Sequence, residues 1–362
     1  MNATRAAAVQ AVAFLMVVFV GFAYVLAHFA TGGVETLGVA SWPQISDGRF
    51  TKAIDRAVVA ALPKSERLDG LQAGLEYRIF ADAGPQVRAG CPGWLFLSQE
   101  LVDVPDGDRN LQLHRELAGR IAAQLATRGI AVVMLPVPDK ARIAAAQLCG
   151  RPVAPQARRR LADWQRAASG LDAAQVDVVT GWPGKPGYWR TDTHWDRVGA
   201  NYAAVRTAAV VDRLLRSRGS ERATVTRSPR LVARTGDLMH LADLDRAPPA
   251  LRPPSDLERR SNVQWQPAGG LLDAGPAPTV LLAGSSYSKN SGFANDLGLA
   301  LGREVVQLSQ DGGGFDGAIL ALLETRPALL AQAKVVVWEW PERALTQPLT
   351  DAERSFLSVS AR

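Results

Sequence analysis

Thr-Val-Leu-Leu-Ala-Gly-Ser-Ser-Tyr-Ser at residues 279–288 is the clearest structural signal in this 362-residue chain. A short apolar run that follows two prolines predicts a buried strand, and Gly284 with the serines behind it ends that strand. A serine at this point lies at a strand's carboxyl end, the edge of an open α/β sheet where ligands bind. Serines after a strand also serve as turn or helix-cap residues, so the motif alone leaves both roles open.

Apolar runs alternate with amphipathic helical patterns along the rest of the chain. The predicted strands are Ile130–Val137, Val176–Val179, 279–283, Glu304–Leu308 and Val335–Trp340. The predicted helices are Lys52–Leu62, a leucine stripe from Leu113 to Leu125, Pro155–Ala168, Asp196–Arg216 and Asp316–Ala331. Such alternation predicts an α/β fold, a largely parallel sheet flanked by helices. We assign Trp338 and Trp340 to packing under a helix, and the Pro- and Arg-rich residues 246–260 to an exposed loop.

The amino terminus carries a long apolar run in which Gln10 is the only strongly polar residue between positions 6 and 27. At about 1.5 Å per residue this run can cross a bilayer as a transmembrane helix. Arg5 and the terminal amine favour a cytoplasmic start and an exported remainder. Cleavage after Val25-Leu26-Ala27 is the alternative. We therefore expect an anchor over 1–30, a stalk over 31–75, one compact domain over 76–350 and a tail over 351–362.

The histidine inventory points to one residue. Of four histidines, three lie in the apolar run, in a helical pattern and after a Gly-Asp turn: His28, His114 and His240. His194 lies in Gly-Tyr-Trp-Arg-Thr-Asp-Thr-His-Trp-Asp at 187–196, flanked by an acid and aromatics. A hydroxyl nucleophile needs an imidazole to take its proton and a carboxylate to orient that imidazole. Ser286, His194 and Asp192 can supply these three roles.

The Asp-Thr-His pattern has a competing interpretation. Residues two apart on an extended segment share a face, so Asp192 and His194 can also ligate a metal together. A metal site needs further ligands, and the sequence contains no second His or Cys cluster to supply them. We therefore predict no metal and no cofactor. The net charge is +6, but the basic residues are scattered along the sequence and do not form a basic arm. This distribution argues against nucleic-acid binding.

Six motifs resemble one known family. They are Gly-Trp-Leu-Phe-Leu at 93–97, Leu-Pro-Val-Pro-Asp-Lys-Ala-Arg at 135–142, Thr-Asp-Thr-His-Trp at 191–195, Gly-Asp-Leu at 236–238, Gly-Ser-Ser-Tyr-Ser at 284–288 and Val-Val-Trp-Glu-Trp-Pro-Glu-Arg at 336–343. In this order they resemble the alginate O-acetyltransferase family of the AlgJ/AlgX type, which has a rearranged SGNH-hydrolase-like fold. The resemblance implies Ser286 as nucleophile, His194 as base and Asp192 as its partner. Ser285 stands where the family usually has threonine.

The resemblance also implies a function and a location. We expect a periplasmic O-acetyltransferase, anchored to the inner membrane, that acetylates an exopolysaccharide through a Ser286 acyl-enzyme. A membrane-bound O-acyltransferase of the AlgI type would deliver the acetyl groups. The chain ends at Arg362 without an added carbohydrate-binding module, which favours the AlgJ-like arrangement. An acetylesterase with the same triad and a non-catalytic glycan-binding scaffold of a secretion complex remain the alternatives.

Two further expectations concern side chains near the predicted site and the two cysteines. Flat aromatic rings can support sugars and arginine can bind a uronate carboxylate. The candidate substrate contacts are Arg190, Trp195, Tyr287 and Asn290, of which Asn290 is also a candidate oxyanion donor. Cys91 and Cys149 can pair in an oxidising compartment, and sequence leaves that pairing open.

Overall fold

A computed structural model of the chain describes residues 3–30, 41–61, 66–266 and 279–359. The chain divides into two compact units, Met1–Asp69 and Gly70–Arg362. Gly70 packs closely within the larger unit, since a Cβ on it would lie 2.6 Å from the backbone of Arg246. The predicted division into anchor, stalk, domain and tail stays a prediction.

The described helices and strands have the following bounds. The α-helices are α1 Ala3–Ala30, α2 Trp42–Ser46, α3 Arg49–Ala61, α4 Glu66–Phe80, α5 Gly107–Ala126, α6 Lys140–Ile143, α7 Pro155–Ala167, α8 Arg197–Leu215, α9 Asp237–Leu241, α10 Ser286–Lys289, α11 Phe293–Leu301, α12 Ile319–Thr325, α13 Pro327–Leu330 and α14 Asp351–Val359. The strands are β1 Val87–Ala89, β2 Leu95–Leu97, β3 Ala131–Val137, β4 Ala174–Gln175, β5 Ala223–Arg227, β6 Val232–Arg234, β7 Asp256–Glu258, β8 Ser261–Trp265, β9 Val280–Gly284, β10 Val306–Ser309 and β11 Val335–Pro341. Short 3₁₀ helices lie at Ser98–Glu100, Ala145–Leu148, Pro249–Leu251 and Glu342–Thr346.

A five-stranded sheet with the order β10-β9-β11-β3-β4 forms the centre of the larger unit. All its pairings are parallel, and the register places Trp338 beside Ala283 on one side and Met134 on the other. The carboxyl ends of β3, β9 and β11 therefore meet at one edge. This arrangement confirms the predicted α/β fold with a parallel sheet flanked by helices.

Helices cover both faces of this sheet, and each face has its own buried cluster. Trp338 and Trp340 pack beneath Trp164 and Phe315 on one face, which confirms their structural assignment. The other face packs β3, β9 and β11 against the alanine-rich side of α8 and against α11. His114 of α5 is fully buried, and its Nδ1 lies 3.1 Å from the Leu345 carbonyl oxygen.

Three predicted elements differ from the structure. The strand expected at Val176–Val179 lies instead at β4, which pairs with Val133 and Met134 of β3. The single helix expected over Asp316–Ala331 is split into α12 and α13, because Pro327 disfavours helical backbone at the preceding residue. The loop expected over 246–260 contains β7, which pairs with β6 and buries Asp256.

Cys91 and Cys149 form a disulfide, with their Cα atoms 5.0 Å apart. The bond joins the segment after β1 to the end of the 3₁₀ helix Ala145–Leu148. The pairing that sequence left open is thereby settled in favour of a disulfide.

The smaller unit contains α1, a helix of 28 residues, together with α2 and α3. Helix α3 agrees with the helix predicted over Lys52–Leu62. Within the described part of the chain, no helix is both long enough and apolar enough to cross a membrane, so the transmembrane helix predicted at the amino terminus is not shown. The predicted tail begins with α14, which packs on α5 inside the larger unit.

Candidate active site

The turn after β9 presents three serines in different environments. Ser285 caps α10 by accepting a hydrogen bond from the Tyr287 N–H, and its hydroxyl donates to Glu339 Oε1 at 2.7 Å. The Ser288 hydroxyl donates to Glu339 Oε2 at 2.6 Å. Ser286 is half-buried, and neither its N–H nor its hydroxyl donates a hydrogen bond among the described residues. Ser286 therefore keeps both groups available for a reacting molecule.

Asp192 and His194 form a buried dyad within a short irregular segment. Asp192 Oδ1 lies 2.5 Å from His194 Nδ1 and also accepts the His194 backbone N–H at 3.0 Å. This contact assigns the ring proton to Nδ1, which donates it to Asp192, and leaves Nε2 unprotonated in the neutral ring. His194 Nε2 has no hydrogen-bond partner in the part of the chain that the structure describes. Nε2 is thus the free basic atom that a triad requires.

Arg234 on β6 completes the environment of Asp192. Its Nε and Nη2 atoms donate to Asp192 Oδ2 at 3.0 and 2.9 Å. Burial opposes ionisation of Asp192, but the hydrogen bond and charge of His194 and the charge of Arg234 lower its pKa well below the ordinary value. Asp192 therefore stays ionised and holds the imidazole in one orientation.

Tyr287 connects the serine turn to the dyad. Its ring packs against His194 with centroids 4.9 Å apart, and its hydroxyl donates to the Thr193 carbonyl oxygen at 2.9 Å. Trp195 donates from Nε1 to the Tyr287 carbonyl oxygen at 3.0 Å. These contacts pack Tyr287, the residue that follows Ser286, directly against the dyad segment.

Lys140 holds the backbone of the segment that carries the dyad. Its ammonium is fully buried and donates to the carbonyl oxygens of Leu95, Arg190 and Asp192 at 2.5, 2.9 and 3.0 Å. Burial lowers the pKa of Lys140 to about 8, against the opposing effect of nearby carboxylates such as Glu100. Sequence reasoning noted the motif that contains Lys140 but gave the residue no role.

Asp237 is a second carboxylate beside the imidazole that sequence reasoning missed. It accepts the Thr193 N–H at 2.7 Å, and its Oδ2 lies 3.6 Å from His194 Nδ1. Burial, together with the charge of Asp192, raises the pKa of Asp237. The available signal was the Gly-Asp-Leu motif at 236–238, which matched the family without suggesting a contact.

The carboxylates of Asp192 and Asp237 and the His194 ring could together be considered as metal ligands. Their ligand atoms lie within 4.8 Å of one another. However, His194 Nδ1 and both carboxylates already have hydrogen-bond partners, and the Arg234 guanidinium supplies positive charge beside Asp192. The residues therefore fit a hydrogen-bonded dyad better than a cation site.

Two of the four predicted substrate contacts require correction. Trp195 and Tyr287 are fully buried, so neither ring has a surface on which a sugar could stack. Arg190 is partly exposed, and its Nε donates to Asp256 at 3.0 Å. Asn290 is exposed and donates from its side chain to Asp311 at 3.1 Å. Substrate contact by Arg190 and Asn290 stays a prediction.

The fold and the site together define a class, an α/β protein with a serine, a histidine and an aspartate at the carboxyl edge of a parallel sheet. Residues 87–342 match the family model described as SGNH hydrolase-like domain, acetyltransferase AlgX. The chain belongs to this family. The comparison confirms the resemblance inferred from the motifs and supports the predicted O-acetyltransferase activity.

Individual relatives are similar over most of their length. The protein named "Probable alginate O-acetylase AlgJ" of Pseudomonas fluorescens is 29% identical over 328 residues, covering 87% of this chain and 82% of the relative. The protein of the same name from Azotobacter vinelandii is 27% identical over 337 residues, covering 90% and 87%. The solved O-acetyltransferase domain of Pseudomonas putida AlgJ superposes with a TM-score of 0.67 at 24% identity, covering 77% of this chain and all of that domain.

Proposed function

We propose that this protein is a polysaccharide O-acetyltransferase that works through an acetyl-enzyme at Ser286. One observation carries the proposal: among the described residues, Ser286 is the one of the three serines Ser285, Ser286 and Ser288 whose hydroxyl donates no hydrogen bond, and the next residue, Tyr287, packs on a buried dyad whose Nε2 has no partner there. Family membership supports acetyl transfer as the reaction.

The catalytic cycle has two half-reactions with the same atoms in reversed roles. In the first, Ser286 Oγ attacks the acetyl carbonyl carbon, its proton passes to His194 Nε2, and the donor leaves with that proton. In the second, an acceptor hydroxyl gives its proton to Nε2, attacks the acetyl-serine carbonyl, and Ser286 regains a proton. The free Ser286 N–H can donate to the tetrahedral oxyanion in both steps.

The acceptor is an exopolysaccharide in this proposal. The two relatives described above are named probable alginate O-acetylases, and the net charge of +6 would draw an acidic polymer towards the protein. Arg190 and Asn290 remain the candidate contacts for the polymer.

We also propose a periplasmic location, an inner-membrane anchor and an AlgI-like membrane partner as acetyl donor. The apolar run at 6–27 supports the anchor, and the Cys91–Cys149 disulfide supports an oxidising compartment. We expect the protein to pellet with membranes and to resist extraction by salt. Protease added to the periplasmic side should digest it. A soluble form starting near His28 would show cleavage instead.

Single substitutions test the triad. We expect Ser286→Ala, His194→Ala and Asp192→Ala each to lower acetyl release from a chromogenic ester by about 10³-fold or more, and their combination to add little, because the three groups act as one unit. Circular dichroism checks that each variant is folded. Near-wild-type activity in folded Ser286→Ala would contradict the assignment.

A second experiment separates transfer from hydrolysis. The domain without residues 1–30 is mixed with a chromogenic acetyl ester and several oligosaccharides, and products are weighed by mass spectrometry. A gain of about 42 mass units on one acceptor, absent with Ser286→Ala, is the expected result, since transfer exchanges a hydrogen for an acetyl group. Release of acetate with every acceptor unmodified, and removal of acetyl from acetylated oligosaccharide, would identify an esterase.

A further inference from the structure

The side chain of Glu339 is a buried carboxylate in an otherwise apolar strand. It lies on β11, where every residue is buried, and the side chain itself is fully inaccessible. Burying a carboxylate costs several kcal/mol unless hydrogen bonds replace its hydration, so an apolar residue would serve a purely structural role better. The contacts of Glu339 should therefore explain why a carboxylate occupies this position.

Its hydrogen-bond partners come from the two serines that flank the nucleophile candidate. Ser285 donates its N–H at 2.9 Å and its hydroxyl at 2.7 Å, and Ser288 donates its N–H at 3.2 Å and its hydroxyl at 2.6 Å. Four donors match the accepting capacity of one ionised carboxylate. The pKa of Glu339 is raised overall, because the effect of burial is larger than the lowering effect of these four bonds.

Gly284, the last residue of β9, also lies very close to the Glu339 carboxylate. A Cβ on Gly284 would lie 2.8 Å from Glu339 Oε2 and 2.7 Å from the Ser288 hydroxyl. Any side chain at this position would push the carboxylate away from the turn. The end of β9 is thus shaped around Glu339.

We propose that Glu339 is the positioning residue of the nucleophile turn and that Ser285 and Ser288 are its anchors. The inference rests on the proposed role of Ser286 and extends it. Glu339 fixes both residues that flank the dipeptide Ser286-Tyr287, so it sets where Ser286 Oγ lies relative to His194. It does not touch substrate. Its effect should therefore appear in the reactivity of Ser286 and not in the binding of the acceptor.

The test measures Ser286 reactivity with a fluorophosphonate, in which an Oγ–P bond forms, the P–F bond breaks and His194 takes the hydroxyl proton. Intact mass follows the labelling rate of the full chain, and acetyl transfer is measured in parallel. We expect Glu339→Gln to slow labelling and acetylation by about 10²-fold, with the KM for the acceptor unchanged, because a small displacement of a reacting atom has that effect. The amide oxygen can replace Oε2 and keep the two N–H bonds, but the NH₂ then faces the Ser285 hydroxyl, which can no longer donate to this side chain.

Glu342→Gln is the matched control, because Glu342 is equally buried near the end of the same strand but bonds Arg142 and the Asp139 N–H. It should keep the labelling rate of the wild type. A second pair of variants leaves Glu339 unchanged. Ser285→Thr keeps the hydroxyl that donates to Glu339, and Ser285→Val has the shape of threonine without that hydroxyl. Thr should label like the wild type and Val at least about 10-fold more slowly.

Equal labelling by Ser285→Thr and Ser285→Val, or wild-type labelling by folded Glu339→Gln, would overturn the proposal. Loss of labelling in Glu342→Gln to the same degree as in Glu339→Gln would also overturn it, since burial alone would then explain the effect. If the wild type labels at Ser286 but transfers no acetyl group, the proposed function fails while the inference about Glu339 is still decided by the labelling rates.

Discussion

Asp192 illustrates how much of the site depends on a single side chain with several partners. One carboxylate oxygen orients the His194 ring and the other accepts two hydrogen bonds from Arg234. Charge-assisted bonds of this kind are about twice as strong as neutral ones. Removal of Arg234 should therefore weaken the hold of Asp192 on the orientation of the His194 ring.

We expect Arg234→Met to reduce kcat/KM for the chromogenic ester by about 10-fold, because a hydrogen bond to a buried charge contributes roughly 1.5–3 kcal/mol and part of that loss reaches the dyad. Arg234→Lys keeps the charge and should recover part of the activity. Steady-state kinetics measure both variants. Identical kinetics for Arg234→Met and the wild type would show that His194 alone fixes Asp192.

At the scale of elements, α5, α14 and the segment before α12 converge on a buried polar cluster. His114 packs on Phe315 with ring centroids 4.4 Å apart, and its Nε2 lies 3.7 Å from Glu353 Oε1 on α14. Next to Phe315, burial and the charge of Glu353 raise the pKa of Asp316 to about 7. Helix α14, Asp351–Val359, is therefore an integral part of the larger unit.

The raised pKa of Asp316 predicts a pH dependence of stability. At pH values between 3.8, the ordinary pKa of an aspartate, and about 7, the folded state binds a proton that the unfolded state has lost. This contribution to the free energy of unfolding is full below pH 3.8 and is lost as the pH rises through 7. Asp316→Asn should flatten that dependence and be more stable than the wild type at pH 8, as measured by urea denaturation at several pH values. A steeper decline in the variant would contradict the assignment.

For the molecule as a whole, the disulfide ties together segments that are far apart in sequence. Cys91 and Cys149 are separated by 58 residues, a stretch that contains β2, α5 and the buried strand β3. Closing a loop of this length restricts the unfolded chain. The cross-link thus ties the segment after β1 to the end of the 3₁₀ helix Ala145–Leu148.

Replacing both cysteines with serine should lower the free energy of unfolding by about 4 kcal/mol, the loop-closure value for this separation. Denaturation of the wild type with and without a reductant provides the comparison. The reduced wild type should match the double variant, and the variant should not respond to the reductant. A variant as stable as the oxidised wild type would show that the bond adds nothing.

Local patterns were enough to predict most strands and helices, the dyad and the family. Asp192 and His194 are two residues apart, and Ser286 lies two residues after Gly284, the end of a strand that is predicted by the apolar run at 279–283. Such features depend on neighbours in the sequence, so they can be inferred without knowing which strands lie side by side. The errors lie where a short-range pattern competes with packing, as at Val176–Val179 and at Pro327.

The supporting residues of the site depended on tertiary structure. Glu339 reaches Ser285 because the sheet places β11 directly beside β9, although 54 residues separate the two side chains. Lys140 reaches Asp192 across a similar gap, and Trp195 is buried because it packs against Tyr287. Burial and hydrogen bonding between distant segments are set by strand order and helix packing, which no local pattern encodes. The candidate reacting groups could therefore be proposed from the sequence, whereas the residues that contact and orient them could not.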